Sequence, residues 1–242
     1  VATRLKRLGL RVELDKDIEL IDPEDDPRYR SYWETYHAIM QRRGVTPISA
    51  RNIVRTDPTV IGALMVYKGE ADAVICGVTG QYHDHLEDIM DVIGLKPGVE
   101  TPAALNALIL AKGTYFFCDT QINTNPTIAQ ISEMTMLAVD EVRRFGITPK
   151  VALLSHSNFG VVDCDVAFKM RAAYADIRRR DPKLEIDGEM TADVALSEEI
   201  RQSIMPNSNL TGSANLFIMP SVEAANIAFS MLRVLADGTS IG

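Results

Sequence analysis

Two short stretches hold the side chains with the greatest chemical reach. His83, Asp84, His85, Glu87 and Asp88 crowd the first, and Ser155, His156 and Ser157 stand side by side in the second. The first set has the donor atoms for a metal. On a helix, however, the His-x-His spacing turns the two rings about 200° apart, whereas helical zinc sites use the i, i+4 spacing. Histidines on a cleft or surface are the better reading, and no metal is expected. In the second set a histidine between two serines could assist a serine nucleophile. The G-x-S-x-G turn that would expose that serine is missing, so the stretch reads as a loop that hydrogen-bonds a ligand.

Two segments about 60 residues apart carry the strongest positioning signal: VALLSHSNFG (Val151–Gly160) and NSNLTGSANLFIMP (Asn207–Pro220). Each joins an apolar run, which reads as a buried parallel strand, to a loop of Ser, Asn, Thr and Gly. Such loops let backbone N–H groups and hydroxyls approach a polar ligand closely. In open α/β sheets ligands bind outside the carboxyl ends of strands. Four segments qualify for that place, Gly77–His85, Asp119–Pro126, Ser155–Asp163 and the region of Asn207–Asn215, and they are expected to share one composite cleft. Neither the P-loop nor the G-x-G-x-x-G fingerprint occurs, so no dinucleotide is bound in the usual way.

The rest of the chain reads as alternating elements. Arg28–Arg43 predicts an amphipathic helix stopped by Gly44. Asp57-Pro58 has the form of a cap and first-turn proline for a helix running to about Lys68 that buries Val60, Ile61, Leu64 and Met65. ADAVICG reads as a strand, followed by a loop and helix through the histidines. AALNALIL and TYFFCDT are further strands. Asn123–Pro126 is expected to cap a helix from about Pro126 to Phe145, in which MTMLAVDEV faces the core. Cys164–Arg180 is a helix, LEIDGEM a strand, Thr191–Ile204 one helix, ANLFIMP a strand and Val222–Ala236 the final helix. This alternation predicts an α/β fold with a mostly parallel sheet and helices on both faces. A boundary is expected near Gly94–Pro102, where prolines and a glycine gather.

Composition excludes several classes. The net charge of −8 argues against nucleic acid as a partner, since phosphate binding favours a basic surface. No apolar run approaches the roughly 18 residues of a membrane span. Cys76, Cys118 and Cys164 are widely spaced, with neither disulfide-framework nor zinc spacing. That pattern and the lack of a visible secretory signal lead to the expectation of reduced thiols in a cytoplasmic protein.

Several stretches together resemble the phosphate acetyltransferase and butyryltransferase family: DPRYRSYWETYHAIMQRRGVTP, IGALMVYKGEADAVICG, VRRFGITPKVALLSHSNFG, LEIDGEM and NSNLTGSANLFIMPSVEAANIAF. WETYH and LLSHSNFG resemble in particular the acetyltransferase-like carboxy-terminal domain of bacterial multimodular NADP-dependent malic enzymes. The resemblance implies a two-lobed α/β/α architecture, like that of isocitrate dehydrogenase. The first lobe is expected over 1–100, incomplete, and the second over 101–242. It also implies an acyl-CoA cleft, in which the candidate ligand-binding residues are Gly80, Tyr82, His83, Asn123, Ser155, His156, Ser157, Asn158, Gly212 and Asn215. Catalytic members carry arginines where this chain has Met40 and Met90, and their remaining catalytic residues fall beyond Gly242. A guanidinium clamps acetyl phosphate bidentately and a thioether does not. The resemblance therefore implies a non-catalytic domain that binds acetyl-CoA and regulates a malic enzyme oxidising malate to pyruvate. NADP and magnesium or manganese would be held by the catalytic domains of the same polypeptide, and the domain would form a homodimer within a higher homo-oligomer. An active phosphate acetyltransferase, with Arg51 or Arg55 in the anion-binding role, and a ligand-free oligomerisation scaffold are the competing readings.

Overall fold

The computed structural model describes residues 2–14, 16–23 and 25–242; Val1, Asp15 and Glu24 lie outside the described residues. The chain divides into two compact units, Val1–Pro97 and Gly98–Gly242.

The first unit is built from helices: α1 (Ala2–Arg7), α2 (Tyr29–Met40), α3 (Pro47–Thr56), α4 (Pro58–Tyr67) and α5 (Tyr82–Val92). A short 3-10 turn, Gln41–Arg43, extends α2 until Gly44 ends it with a φ of 86°, a conformation that glycine adopts without steric cost. The Asp57 side chain accepts from the N–H groups of Thr59 and Val60, and Pro58 opens α4. This is the cap that the sequence predicts. Tyr32, Tyr36, Met40, Ala50, Val54, Val60, Ile61, Leu64 and Val92 pack into one core, with Met65 only partly buried against it.

ADAVICG departs from expectation. Residues 71–77 form no strand, and the only β pairing described in this unit is an isolated bridge between Leu14 and Ile18. The physical reason is the lack of a partner: every strand of the described chain belongs to the second unit, and an extended run becomes a strand only by pairing its N–H and C=O groups. Val74 packs on α4, where a Cβ on Gly62 would come within 2.8 Å of it. Ile75 is 98% exposed.

The second unit holds a six-stranded sheet: β1 (Leu105–Leu110), β2 (Gly113–Cys118), β3 (Val151–Leu154), β4 (Ile186–Met190), β5 (Leu216–Ile218) and β6 (Thr239–Ile241), in the order β4-β3-β5-β2-β1-β6. The block from β4 to β2 is parallel, while β1 pairs antiparallel with β2 and with β6. The helices are α6 (Ile128–Arg144), α7 (Asp165–Arg180), α8 (Ala192–Leu196), α9 (Glu198–Ile204) and α10 (Val222–Leu235). Period-2 alternation along the strands sorts them into two layers. Phe116, Val151, Leu153, Leu216 and Ile218 pack with Met134, Val139, Met170 and Ile177 of α6 and α7. Phe117, Ala152, Leu154, Phe217 and Met219 pack with Val194, Ala225 and Phe229 of α8 and α10. The expected α/β architecture, with helices on both faces of a mostly parallel sheet, is what this unit adopts.

Two local expectations are corrected. Thr127, not Asn123–Pro126, caps α6: its hydroxyl accepts from Gln130 N–H while the Gln130 side chain accepts from Thr127 N–H, a capping box. The helix expected over Thr191–Ile204 is two, because Ser197 is extended and its hydroxyl caps α9 by accepting from Ile200 N–H. Arg201, 0% exposed, then donates to the carbonyls of Val194, Ala195, Leu210 and Gly212 and fastens the loop that leads into β5.

Candidate functional site

Strand direction decides where each polar loop of the second unit lies. The segments 119–126, 155–164 and 219–221 leave the carboxyl ends of β2, β3 and β5 and share one edge of the sheet. The segment 207–215 enters β5 and therefore lies at the opposite edge. Asn215 is level with Lys150, just before the register pair Val151 and Leu216. Ser155 is five residue steps further along, about 16 Å at roughly 3.3 Å per residue.

At the carboxyl edge, buried carboxylates shape the backbone. Asp119, 2% exposed, accepts from the N–H groups of Ala104, Gln121, Ile122 and Asn123 and from the Asn123 side chain at 2.5 Å. The Asn123 amide also donates to Pro102 O, so this candidate ligand residue is committed to holding its own loop. Glu189, 0% exposed, accepts from the Ser157 hydroxyl at 3.0 Å and from Gly160 N–H at 2.8 Å, with the Arg171 guanidinium 3.7 Å away. Ser157 is thus a buried strut. Asn158 accepts from the N–H and hydroxyl of Thr191, which ties the β3 loop to the exit of β4. Ser155 and His156 remain open at this edge. The Ser155 hydroxyl only accepts a long 3.3 Å bond from Ser157 N–H, and exposed His156 has Nε2 3.7 Å from the Cys164 thiol.

At the amino edge the candidates serve the fold. Asn215 accepts from Lys150 N–H at 2.7 Å and donates to Thr148 O at 2.9 Å, and the Gly212 carbonyl takes the Arg201 bond. A cleft of about 430 Å³ opens here beside Arg143, Thr148, Lys183 and Glu185. Its charges are largely matched within the protein: Arg143 meets Asp140 and Asp181, and Glu185 meets Lys150 and Thr211. Gly212 and Asn215 are therefore not brought together with Ser155, contrary to the composite cleft expected from sequence.

Gly80, Tyr82 and His83 belong to the first unit. There His85 is the histidine with defined work, while His83 is exposed. The His85 Nε2 lies 2.6 Å from Thr79 O and Nδ1 lies 2.8 Å from the Thr59 hydroxyl. A carbonyl only accepts, so Nε2 carries the hydrogen. Gly80 has a φ of 93°, and a Cβ there would come within 3.0 Å of that nitrogen. Its smallness makes room for the ring. Cys76, Gly77, Gly80, Tyr82, His85 and Leu86, with Ile89, line a pocket of about 190 Å³. One turn further along, burial and then the neighbouring Asp57 carboxylate push Asp88 up to about 6. Among the described residues no group of three or more His, Cys, Asp or Glu is arranged to hold a metal ion. None of their helices is long and apolar enough to cross a membrane.

The sequence profile of the phosphate acetyl/butaryl transferase family matches residues 1–242. The chain belongs to that family. It is 50% identical over its full length to an NAD-dependent malic enzyme of Rhizobium meliloti (strain 1021) and 48% identical to an NADP-dependent malic enzyme of Escherichia coli (strain K12). It covers 31% and 32% of those proteins, so it spans about a third of the length of the malic enzymes it matches. Among solved structures it superimposes on a phosphotransacetylase from Streptococcus pyogenes with a TM-score of 0.87 at 26% identity, covering 99% of this chain and 72% of the other. Malic enzymes thus carry a domain of the phosphate acetyl/butaryl transferase family, and this chain is similar to that domain.

Within this phosphate acetyl/butaryl transferase domain, Met40 is 5% exposed in the core of the first unit, and Met90 is half-buried on α5. Arg51 stacks over Trp33 at 4.3 Å. Sequence reasoning singled out His85 beside His83 but left it out of the ligand-binding set, and it missed Glu189, the β5 exit at Pro220–Ser221, and Lys169, whose ammonium reaches that exit. The signal for the β5 exit was available: in a parallel sheet the loop after a strand, not the loop before it, reaches the carboxyl edge.

Proposed function

We propose that this domain binds acetyl-CoA at the carboxyl edge of the second unit's sheet and regulates a malic enzyme of which it forms part, without transferring an acyl group itself. The observation that carries the reading is the carboxyl edge: Asp119 and Glu189 hold two loops rigidly while leaving Ser155 and His156 open to a ligand. The loss of transferase chemistry rests on Met40. A guanidinium in that core position would leave a charge buried among apolar side chains, and a thioether supplies no clamp for a phosphoryl group.

Malate oxidation to pyruvate, with NADP and a divalent metal, belongs in this reading to other domains of the longer polypeptide, which would act as a cytoplasmic homo-oligomer. Acetyl-CoA then regulates by binding two states of the assembly unequally, and a coupling of about 1–3 kcal/mol suffices for useful inhibition. The test is calorimetric titration of acetyl-CoA into the full-length enzyme, with malate oxidation followed in parallel. Saturable binding at micromolar concentration together with inhibition is the expected result. Formation of acetyl phosphate from acetyl-CoA and phosphate, or no binding heat, would overturn it.

A further inference from the structure

At the carboxyl edge of the second unit one cation lacks a counter-charge. Lys169, in the early turns of α7, donates from Nζ to Asn125 Oδ1 at 2.9 Å and to Pro220 O at 3.3 Å. Both acceptors are neutral, and no carboxylate pairs with this ammonium among the described residues. Arg171, on the same helix, is different, because buried Glu189 stands 3.7 Å from it. Burial lowers the Lys169 pKa from the usual lysine value, as expected for a charge that the protein does not neutralise.

The topology says why a cation here matters. The chain leaves β3 into α7 on one face of the sheet, leaves β5 into α10 on the other, and leaves β2 into α6 on the first. It therefore departs to opposite sides on both flanks of β5. A crevice opens at such a switch point, and ligands of open α/β sheets occupy it. Asn125 follows β2 and Pro220 follows β5, so Lys169 spans the walls of that crevice. An ammonium has three N–H donors, and two are used.

We propose that Lys169 is the ligand-facing cation of this site, with its third N–H and its charge directed to a phosphate-type oxyanion of the ligand. The inference rests on the acyl-CoA reading and deepens it, since it names the group of the second unit that would meet the ligand's negative charge. The oxyanion is either a phosphate of acetyl-CoA or free phosphate.

Calorimetric titration of the full-length wild type, Lys169→Met, Lys169→Arg and Asn125→Ala separates the possibilities, with acetyl-CoA as ligand and inorganic phosphate as competitor at two salt concentrations. Lys169→Met is expected to weaken acetyl-CoA binding about tenfold or more and to flatten its salt dependence, with Lys169→Arg restoring most of both. Asn125→Ala, which removes a bond to the lysine but keeps its charge, is expected to stay within about threefold of wild type. Competition by inorganic phosphate should be present in the wild type and absent in Lys169→Met. Circular dichroism and urea midpoints identify any variant that fails to fold, and Asn125→Ala then serves with Lys169→Arg.

If Lys169→Met binds acetyl-CoA like wild type at both salt concentrations, the assignment of Lys169 is overturned and the acyl-CoA reading stands. An Asn125→Ala loss as large as that of Lys169→Met makes the lysine a strap between loops and also overturns the assignment. If the wild type binds phosphate through Lys169 but not acetyl-CoA, the assignment stands with free phosphate as the source, and the acyl-CoA reading falls. Binding of neither overturns both.

Discussion

The loop after β3 and the loop before β5 share a composition of Ser, Asn and Gly and lie about 16 Å apart, by a strand rise of roughly 3.3 Å per residue, at opposite edges of one sheet. Around the first, Ser157 and Asn158 are spent on Glu189 and Thr191, while Ser155 and His156 stay open. Around the second, Asn215 bridges Lys150 and Thr148, and Arg201 seals the approach with four carbonyl bonds. The same residue types thus leave side chains open at one edge, where we propose that the ligand binds, and build a structural clasp at the other. What separates them is whether the side chains they could offer a ligand already have partners within the protein.

The largest effect is expected from removing the acid that shapes the carboxyl edge. Asp119→Ala leaves five N–H donors without their acceptor, and a loss of about 2–4 kcal/mol is expected. Urea unfolding measures it, and an unchanged midpoint would mean that the loop 119–126 does not depend on that carboxylate. A smaller effect is expected at the other edge. Asn215→Ala removes two backbone bonds and should cost about 1–2 kcal/mol while leaving ligand affinity alone. Loss of affinity with no loss of stability would reverse the roles assigned to the two edges.

The smallest effect concerns the first unit. Asp88 is raised to about 6 by burial and by Asp57, so between about pH 4 and pH 6 the folded state holds a proton that the unfolded chain has released. The Asp88 contribution therefore favours folding at the acid end of that window and is lost as pH rises through 6. Carboxylates with lowered pKa, such as Asp26 and Glu133, run the opposite way. The difference between wild type and Asp88→Asn isolates the term. The wild type should lose stability relative to the variant from pH 4 to pH 6.5, and parallel pH profiles would remove Asp88 from the account.

Much of the second unit's fold was legible because short apolar runs bounded by Gly, Pro and Asn give both strand and edge: LNALIL, TYFFC, VALL, IDGEM and LFI are all strands. The three-residue β6 was not, since Thr239, Ser240 and Ile241 are all exposed and carry no burial alternation. ADAVICG misled because apolar alternation signals a strand only where a partner exists. The site was less legible. Composition marks Asn215 and Ser155 alike, and only strand direction distinguishes them. His85 and Glu189 owe their roles to partners far away in sequence, Thr59 for one and Ser157 for the other. Lys169 has no mark in the sequence beyond its place on a helix, and its role comes from contacts with Asn125 and Pro220, residues 44 and 51 positions away.

On this proposal ligand binding belongs to the carboxyl edge and structural anchoring to the amino edge. Titrating acetyl-CoA into full-length Ser155→Ala and Asn215→Ala proteins side by side tests it most directly. Ser155→Ala should weaken binding by about fivefold or more, as expected for a lost ligand hydrogen bond, and Asn215→Ala should bind like wild type. Full affinity in Ser155→Ala with weakened binding in a folded Asn215→Ala would place the ligand at the other edge and contradict the account.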